Sequence, residues 1–153
     1  MIEWCKIKGQ QFELSKHVVA DEGGRPRVYV TWDEAAAKAA SLGGRLPLEW
    51  ELAAAESRLA YYQDPAYPLP ELPRVDDPRL PVSDNGVVGL TGLVYCWCAD
   101  TRGAYRVYRG GSWYSGASLA RLAGRDWGTP SFRNDYLGFR LARDTPSPDR
   151  GEE

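Results

Sequence analysis

Few side chains in this 153-residue chain are of types that do chemistry. Cys5, Cys96, Cys98 and His17 could in principle make a Cys3His zinc set, but Cys-x-Cys is not the usual zinc-knuckle spacing. Cys96 and Cys98 are two apart on a probable strand and so point the same way, where they read as small buried hydrophobes, one of them near Cys5. His17 lacks a nucleophile and an orienting acid nearby and reads as a surface loop residue. Asp126 and Asp135 could act as paired carboxylates, yet both sit in a run of small polar residues with no other catalytic partner. Gly110-Gly111 is not a phosphate loop, because the following Lys and helix are missing; it reads as a tight strand-to-loop passage.

The densest pattern lies at 108–140. Gly110, Gly111, Trp113, Arg121, Arg125, Trp127, Pro130, Arg133 and the run Leu137-Gly138-Phe139-Arg140 look like a frame. Between them stand Tyr114, Ser115, Gly116, Ser118, Leu119, Leu122, Gly124, Asp126, Gly128, Thr129, Phe132, Asn134, Asp135 and Tyr136. These fillers share no periodicity and no common chemistry. Tyr, Ser, Gly and Asn mixtures make adaptable contact surfaces: aromatics give area at low entropy cost, and small polar residues adjust. The arginines could form a ligand-reading cluster, but irregular backbone leaves carbonyls that guanidinium donors satisfy, so a structural role is expected for Arg121, Arg125 and Arg133. Trp113 and Trp127 are expected to anchor the packing.

The elements that must position these residues are short. Ile2 to Leu14 holds β-compatible pieces around Gly9, and Val28-Tyr29-Val30 is expected to be a further short strand or an extended entry to the helix that follows. Thr31-Trp32-Asp33-Glu34 fits a capping box and starts a helix that ends near Gly43-Gly44. A second helix is expected from about Leu48 to Leu59. Residues 64–81, rich in Pro and Asp, predict a long ordered loop. Leu93–Ala99 and Tyr105–Tyr108 form strands around an Arg102-Gly103 turn; 110–136 should be mostly irregular, and Leu137–Ala142 should close the fold as one last strand. The predicted domain is 1–142, with a variable region at about 112–140 and a polar, frayed tail at 143–153.

Composition bounds the rest. A formal net charge of −2 gives no global attraction for nucleic acid. No apolar run approaches a membrane span, and the start carries no export-type apolar core, so a cytoplasmic location is the default expectation. Phage or surface display stays open.

The ordered set Val30-Thr31-Trp32-Asp33-Glu34-Ala35, Gly43-Gly44-Arg45-Leu46-Pro47, Glu49-Trp50-Glu51-Leu52-Ala53-Ala54, Gly92 to Asp100, Arg109-Gly110-Gly111-Ser112-Trp113 and Leu137-Gly138-Phe139-Arg140 resembles the sulfatase-modifying-factor (formylglycine-generating-enzyme) type of C-type lectin fold. The resemblance covers about residues 28 to 142. It implies an α+β fold, with two helices against a small twisted antiparallel sheet and extensive ordered loops. Within that type the chain looks like the variable proteins of diversity-generating retroelements, ligand-binding proteins whose C-terminal region is rewritten at adenines. Rewritten AAY codons reach NNY, which never encodes Lys, Glu, Gln, Met or Trp; none of the fourteen fillers is one of these.

The resemblance therefore implies a ligand-binding surface on the fillers, with an unidentified protein or cell-surface ligand as partner, no cofactor and no metal. The family's enzymes hold copper on a cysteine pair after the RGGS motif, and no cysteine follows Cys98 here. The family's calcium pattern is also altered, with Gly89, Leu93 and Cys96 in place of oxygen donors. The alternatives are a small enzyme of the formylglycine-generating or sulfoxide-synthase type, a degenerate relative of one, and a purely structural subunit.

Overall fold

The computed structural model describes residues 1–56, 69–113 and 125–146. Strands β1 (Trp4–Lys6) and β2 (Phe12–Ser15) form an antiparallel hairpin whose turn carries Gly9 at φ +78. Helix α1 (Trp32–Ser41) starts as expected. Glu34 donates its backbone N–H to the Thr31 hydroxyl at 3.1 Å, and its carboxylate accepts from the Thr31 N–H at 2.9 Å. It ends with Gly43 N–H on the Ala40 carbonyl and Gly44 N–H on Ala39, the paired bonds of a Schellman motif, with Gly43 in the left-handed region at φ +87.

Helix α2 (Glu49–Ala55) begins where Leu48 N–H is accepted by Glu51 at 2.9 Å. Residues 57–59 of the expected helix lie outside the described residues. The Glu51 side chain is buried (3 % exposed) and takes a bidentate contact from Arg45 at 2.8 and 2.7 Å. Arg45 also reaches Asp144 at 3.0 Å, and these contacts raise the Arg45 pKa, the Glu51 hydrogen bonds contributing most.

Strands β3 (Tyr95–Arg102) and β4 (Tyr105–Arg109) form the expected hairpin, with an irregularity between Trp97 and Thr101. Three expectations are corrected. Residues 28–30 form no strand: Tyr29 sits at φ +61, its N–H goes to the Asn134 carbonyl, and the Val30 carbonyl accepts from the Trp97 indole at 3.0 Å. These loop-to-side-chain bonds use up the groups that a ladder would need. The stretch after Gly110 is less irregular than expected, because Arg125–Gly128 is a strand, β5, paired antiparallel with β4. The closing segment is two strands, not one. β6 (Leu137–Gly138) runs parallel to β3, and β7 (Ala142–Asp144) joins β2.

The result is a three-stranded sheet, β1-β2-β7, and a four-stranded sheet, β5-β4-β3-β6, so the second is mixed rather than purely antiparallel. Between them the chain passes through buried Phe139, Arg140 and Leu141. Arg140 is 1 % exposed and bridges the halves. Its Nη1 donates to the Ser15 carbonyl at 2.7 Å and to Lys16 at 3.4 Å; its Nη2 donates to Val88 at 2.7 Å. Arg140 thus caps carbonyls of irregular backbone, as was expected of Arg121, Arg125 and Arg133; Arg121 and the Arg125 side chain lie outside what is described. Trp97, fully buried, packs with Leu137, Phe139 and Leu141 under α1. No helix among the described residues is long and apolar enough to cross a membrane.

Candidate functional site

The β4–β5 register decides which fillers share a face. Tyr108 pairs with Asp126 and Arg106 with Gly128, while Val107 pairs with Trp127. Side chains alternate along a strand, so Asp126 and Gly128 face one side and Trp127 the other. Filler and frame therefore do alternate here, with a period of two that was not visible in the sequence. Paired residues share a face, and Tyr108 also pairs with Trp97 of β3, so this face continues onto the buried Trp97 and α1.

The frame explains why the backbone stays put. Gly110 has φ +124, and a Cβ there would stand 3.2 Å from the Val94 carbonyl oxygen; Gly111 has φ +66. At Gly138 a Cβ would come within 2.8 Å of the Arg27 carbonyl oxygen. These positions hold the crossing of β3, β4 and β6 at distances that a side chain would break.

On that base sits a cavity of about 400 Å³ lined by Tyr95, Tyr108, Ser112, Asp126, Phe132, Asn134 and Tyr136. Four rings are in sequence around it. Phe132 lies parallel to Tyr108 (2°, centroids 6.1 Å apart). Tyr108 meets Tyr95 edge-on at 5.2 Å, and Tyr95 meets Tyr136 at 6.5 Å. Tyr108 also rests edge-on against Trp97 at 5.3 Å, which ties the cavity floor to the core. Phe132 and Tyr136 are exposed, at 37 % and 39 %. Tyr136 is held by its backbone: its N–H donates to Asn134 Oδ1 at 3.0 Å and its carbonyl accepts from Tyr95 N–H at 2.8 Å. Asp126 Oδ1 accepts from the Trp127 N–H at 2.8 Å.

Burial pushes the Tyr108 hydroxyl above the ordinary phenol range, and Asp126 adds to this by its charge and by a hydrogen bond. Tyr95 is raised in the same direction by burial, then by Asp126 and Tyr136. At neutral pH both phenols stay protonated, and Asp126 is the acidic side chain that lines the cavity.

Of the fillers, Asp126, Phe132, Asn134 and Tyr136 meet at this cavity. Thr129 and Asp135 are exposed beside it in sequence, with Thr129 Oγ1 at 3.4 Å from the Ser131 hydroxyl. Gly128 is buried, not a surface position, and a Cβ on it would stand 3.0 Å from Phe132. Tyr114, Ser115, Gly116, Ser118, Leu119, Leu122 and Gly124 lie outside the described residues, as does Arg121 of the frame. Tyr95 and Tyr108 were missed by the sequence reading. They stand outside the filler run, and their only signal was that two tyrosines fall on neighbouring strands of the hairpin.

Two frame roles are corrected. Trp127 is 44 % exposed, and its ring lies beneath the Arg102 guanidinium at 4.8 Å, so it is not a buried anchor. Arg133 caps no carbonyl among the described residues; it sits 3.8 Å from Glu34 and 5.5 Å from the Tyr29 ring. Arg125 opens β5, paired with Arg109. Trp113 is half-buried against the cluster of Val18, Val75, Leu93 and Val94, and its backbone N–H donates to the Leu93 carbonyl at 2.9 Å.

The cysteines are free and buried, Cys5 and Cys98 in one core cluster and Cys96 in another. Burial raises all three thiols, Cys96 to about 11 and Cys98 well above its usual value. None of them stands after the RGGS motif at 109–112, where the resemblance places the copper-holding pair. No group of three or more His, Cys, Asp or Glu among the described residues is placed to hold a metal ion. His17 is half-buried, and burial lowers its pKa.

Residues 71–145 match the model of the sulfatase-modifying factor enzyme 1-like domain. Over 78 % of the chain there is 32 % identity to the serine/threonine-protein kinase Pkn1 of Chlamydia trachomatis serovar L2, covering 24 % of that protein. The formylglycine-generating enzyme of Streptomyces coelicolor is 29 % identical over 92 % of the chain and 60 % of its own length. The chain thus spans between a quarter and three-fifths of these relatives. Among solved structures, Treponema denticola variable protein 1 superposes with a TM-score of 0.66 at 16 % identity, covering 94 % of this chain and 92 % of that one.

Proposed function

We propose that this chain, a C-type lectin-like domain of the sulfatase-modifying-factor type, is a ligand-binding variable protein diversified by a retroelement. The ligand in this reading is a protein or a cell-surface structure, met by side chains that vary on a fixed backbone. One observation carries the reading: four separately placed fillers, Asp126, Phe132, Asn134 and Tyr136, converge on one cavity, while Gly110, Gly138 and Arg140 on either side of them hold the backbone. The likeness in fold to a variable protein of Treponema denticola supports it.

The physical logic is preorganisation. Glycines at tight crossings and buried Arg140 fix the chain before any ligand arrives, so binding need not order a loop. Phe132 and Tyr136 are the energetic anchors, because partly exposed aromatic rings dominate contact energies once they are covered. Asp126 and Asp135 set charge preference.

A catalytic reading would rest on the enzymatic relative, but no cysteine follows the RGGS motif here to hold copper. The first test is deep sequencing of this gene and its flanking DNA from a natural population. Variation concentrated at the filler codons, beside an adenine-bearing near-copy and a reverse transcriptase gene, is the expected result. Uniform, low variation across 112–140 with no near-copy would overturn the reading.

A further inference from the structure

We propose that the cavity between Tyr95, Tyr108, Phe132 and Tyr136 receives the guanidinium group of an arginine side chain presented by the protein partner. This rests on the binding reading above and specifies the chemistry its central cavity selects. Four aromatic rings surround the space, and ring faces carry negative potential. A cation set against such faces gains most where water is partly excluded, as between the buried Tyr108 and the half-covered rings around it.

The charged group lining the cavity is an acid. Asp126 uses one oxygen on the Trp127 N–H and shares a hydrogen bond with Tyr108, which leaves lone pairs for a further donor. No ion pair reaches Asp126 among the described residues. The nearby guanidiniums are engaged elsewhere: Arg106 lies over Trp32 at 4.7 Å, and Arg102 over Trp127 on the opposite face of the strand pair. Among the described residues, then, nothing cationic takes the remaining lone pairs of Asp126, and an incoming guanidinium matches them in charge.

Shape favours a planar cation over a compact one. Tyr108 and Phe132 are parallel to within 2°, a surface on which a flat guanidinium stacks while its edge donates to Asp126. A carboxylate ligand would meet both Asp126 and the ring faces with the wrong sign.

The test is an NMR titration of the full chain, labelled at its tyrosine and phenylalanine rings. The probes are the N-acetyl N-methylamides of arginine, of citrulline (its neutral isostere) and of glutamate. The arginine probe is expected to shift the ring signals of Tyr95, Phe132 and Tyr136 and to bind about tenfold tighter than the citrulline probe. In Asp126→Asn that preference should vanish, with the melting temperature unchanged as the control for folding. Equal affinity for arginine and citrulline, or a preference for glutamate, overturns the arginine assignment while leaving the surface as a binding surface. Ring signals that respond to no probe overturn both the assignment and the cavity's place in the binding reading.

Discussion

Gly128 and Phe132 compete for the same space: a Cβ on Gly128 would stand 3.0 Å from the Phe132 ring and its Cβ. Two positions that look independently variable are therefore coupled. Gly128→Val should push Phe132 out of its stack on Tyr108 and cost about 1–3 kcal/mol, the usual range for overpacking. Adding Phe132→Ser should recover most of that loss. A double-mutant cycle by thermal or urea unfolding measures the coupling, and a coupling energy near zero would mean that the ring moves aside freely.

Arg140 ties the end of β2 to the loop at Val88 through the carbonyls of Ser15, Lys16 and Val88. Replacing it with Met keeps much of the volume but orphans buried acceptors on Ser15 and Val88. The expected loss is about 3 kcal/mol or more. Arg140→Lys should fare little better, since an ammonium cannot span acceptors set by a planar fork. Equilibrium unfolding of both variants checks this, and a lysine variant as stable as the parent would contradict it.

Alkaline titration follows from Tyr95 and Tyr108. Both have their folded-state pKa raised, burial first and Asp126 second. An acid whose neutral form is favoured on folding ionises earlier in the unfolded chain. The unfolded state then holds fewer protons, and stability falls as pH rises past the ordinary phenol range near 10. Absorbance of the phenolate should show late-titrating tyrosines in the parent. Asp126→Asn should bring the Tyr108 titration down. If that substitution leaves all tyrosine titrations alone, Asp126 does not act on Tyr108.

What could be read in the sequence was local. The Thr31–Glu34 cap and the Gly43-Gly44 end are set by neighbours within a turn, so they were legible, as were the two hairpins. β5 was not: Arg-Asp-Trp-Gly has no apolar alternation, and its strand character comes from the free edge of β4. The split of 137–144 between two sheets was equally hidden, because it depends on buried Phe139 and Arg140 crossing between halves of the fold. The same reasoning covers the site. The filler run gave Asp126, Phe132, Asn134 and Tyr136, but Tyr95 and Tyr108 enter the cavity through strand register, which no spacing within 108–140 encodes. A tryptophan in a rigid-looking frame suggests burial, whereas Trp127, though paired with buried Val107, stands on the edge strand β5 and is left exposed beside Arg102.

The division into frame and fillers makes a final, quantitative contrast. Thr129, Asp135 and Tyr136 have exposed side chains, so replacing all three together with Ser, Asn and Ser should move stability by about 1 kcal/mol or less. Trp127→Ala removes a stacked Arg102 contact at an exposed ring and should cost about 1 kcal/mol. Trp97→Ala empties a fully buried site under α1, and it also strips the Val30 carbonyl of its indole donor; about 3–5 kcal/mol is expected. Urea unfolding of the three variants should therefore rank Trp97→Ala far below the other two. If the triple variant unfolds as readily as Trp97→Ala, those side chains are part of the frame and cannot be the freely variable part of a binding surface.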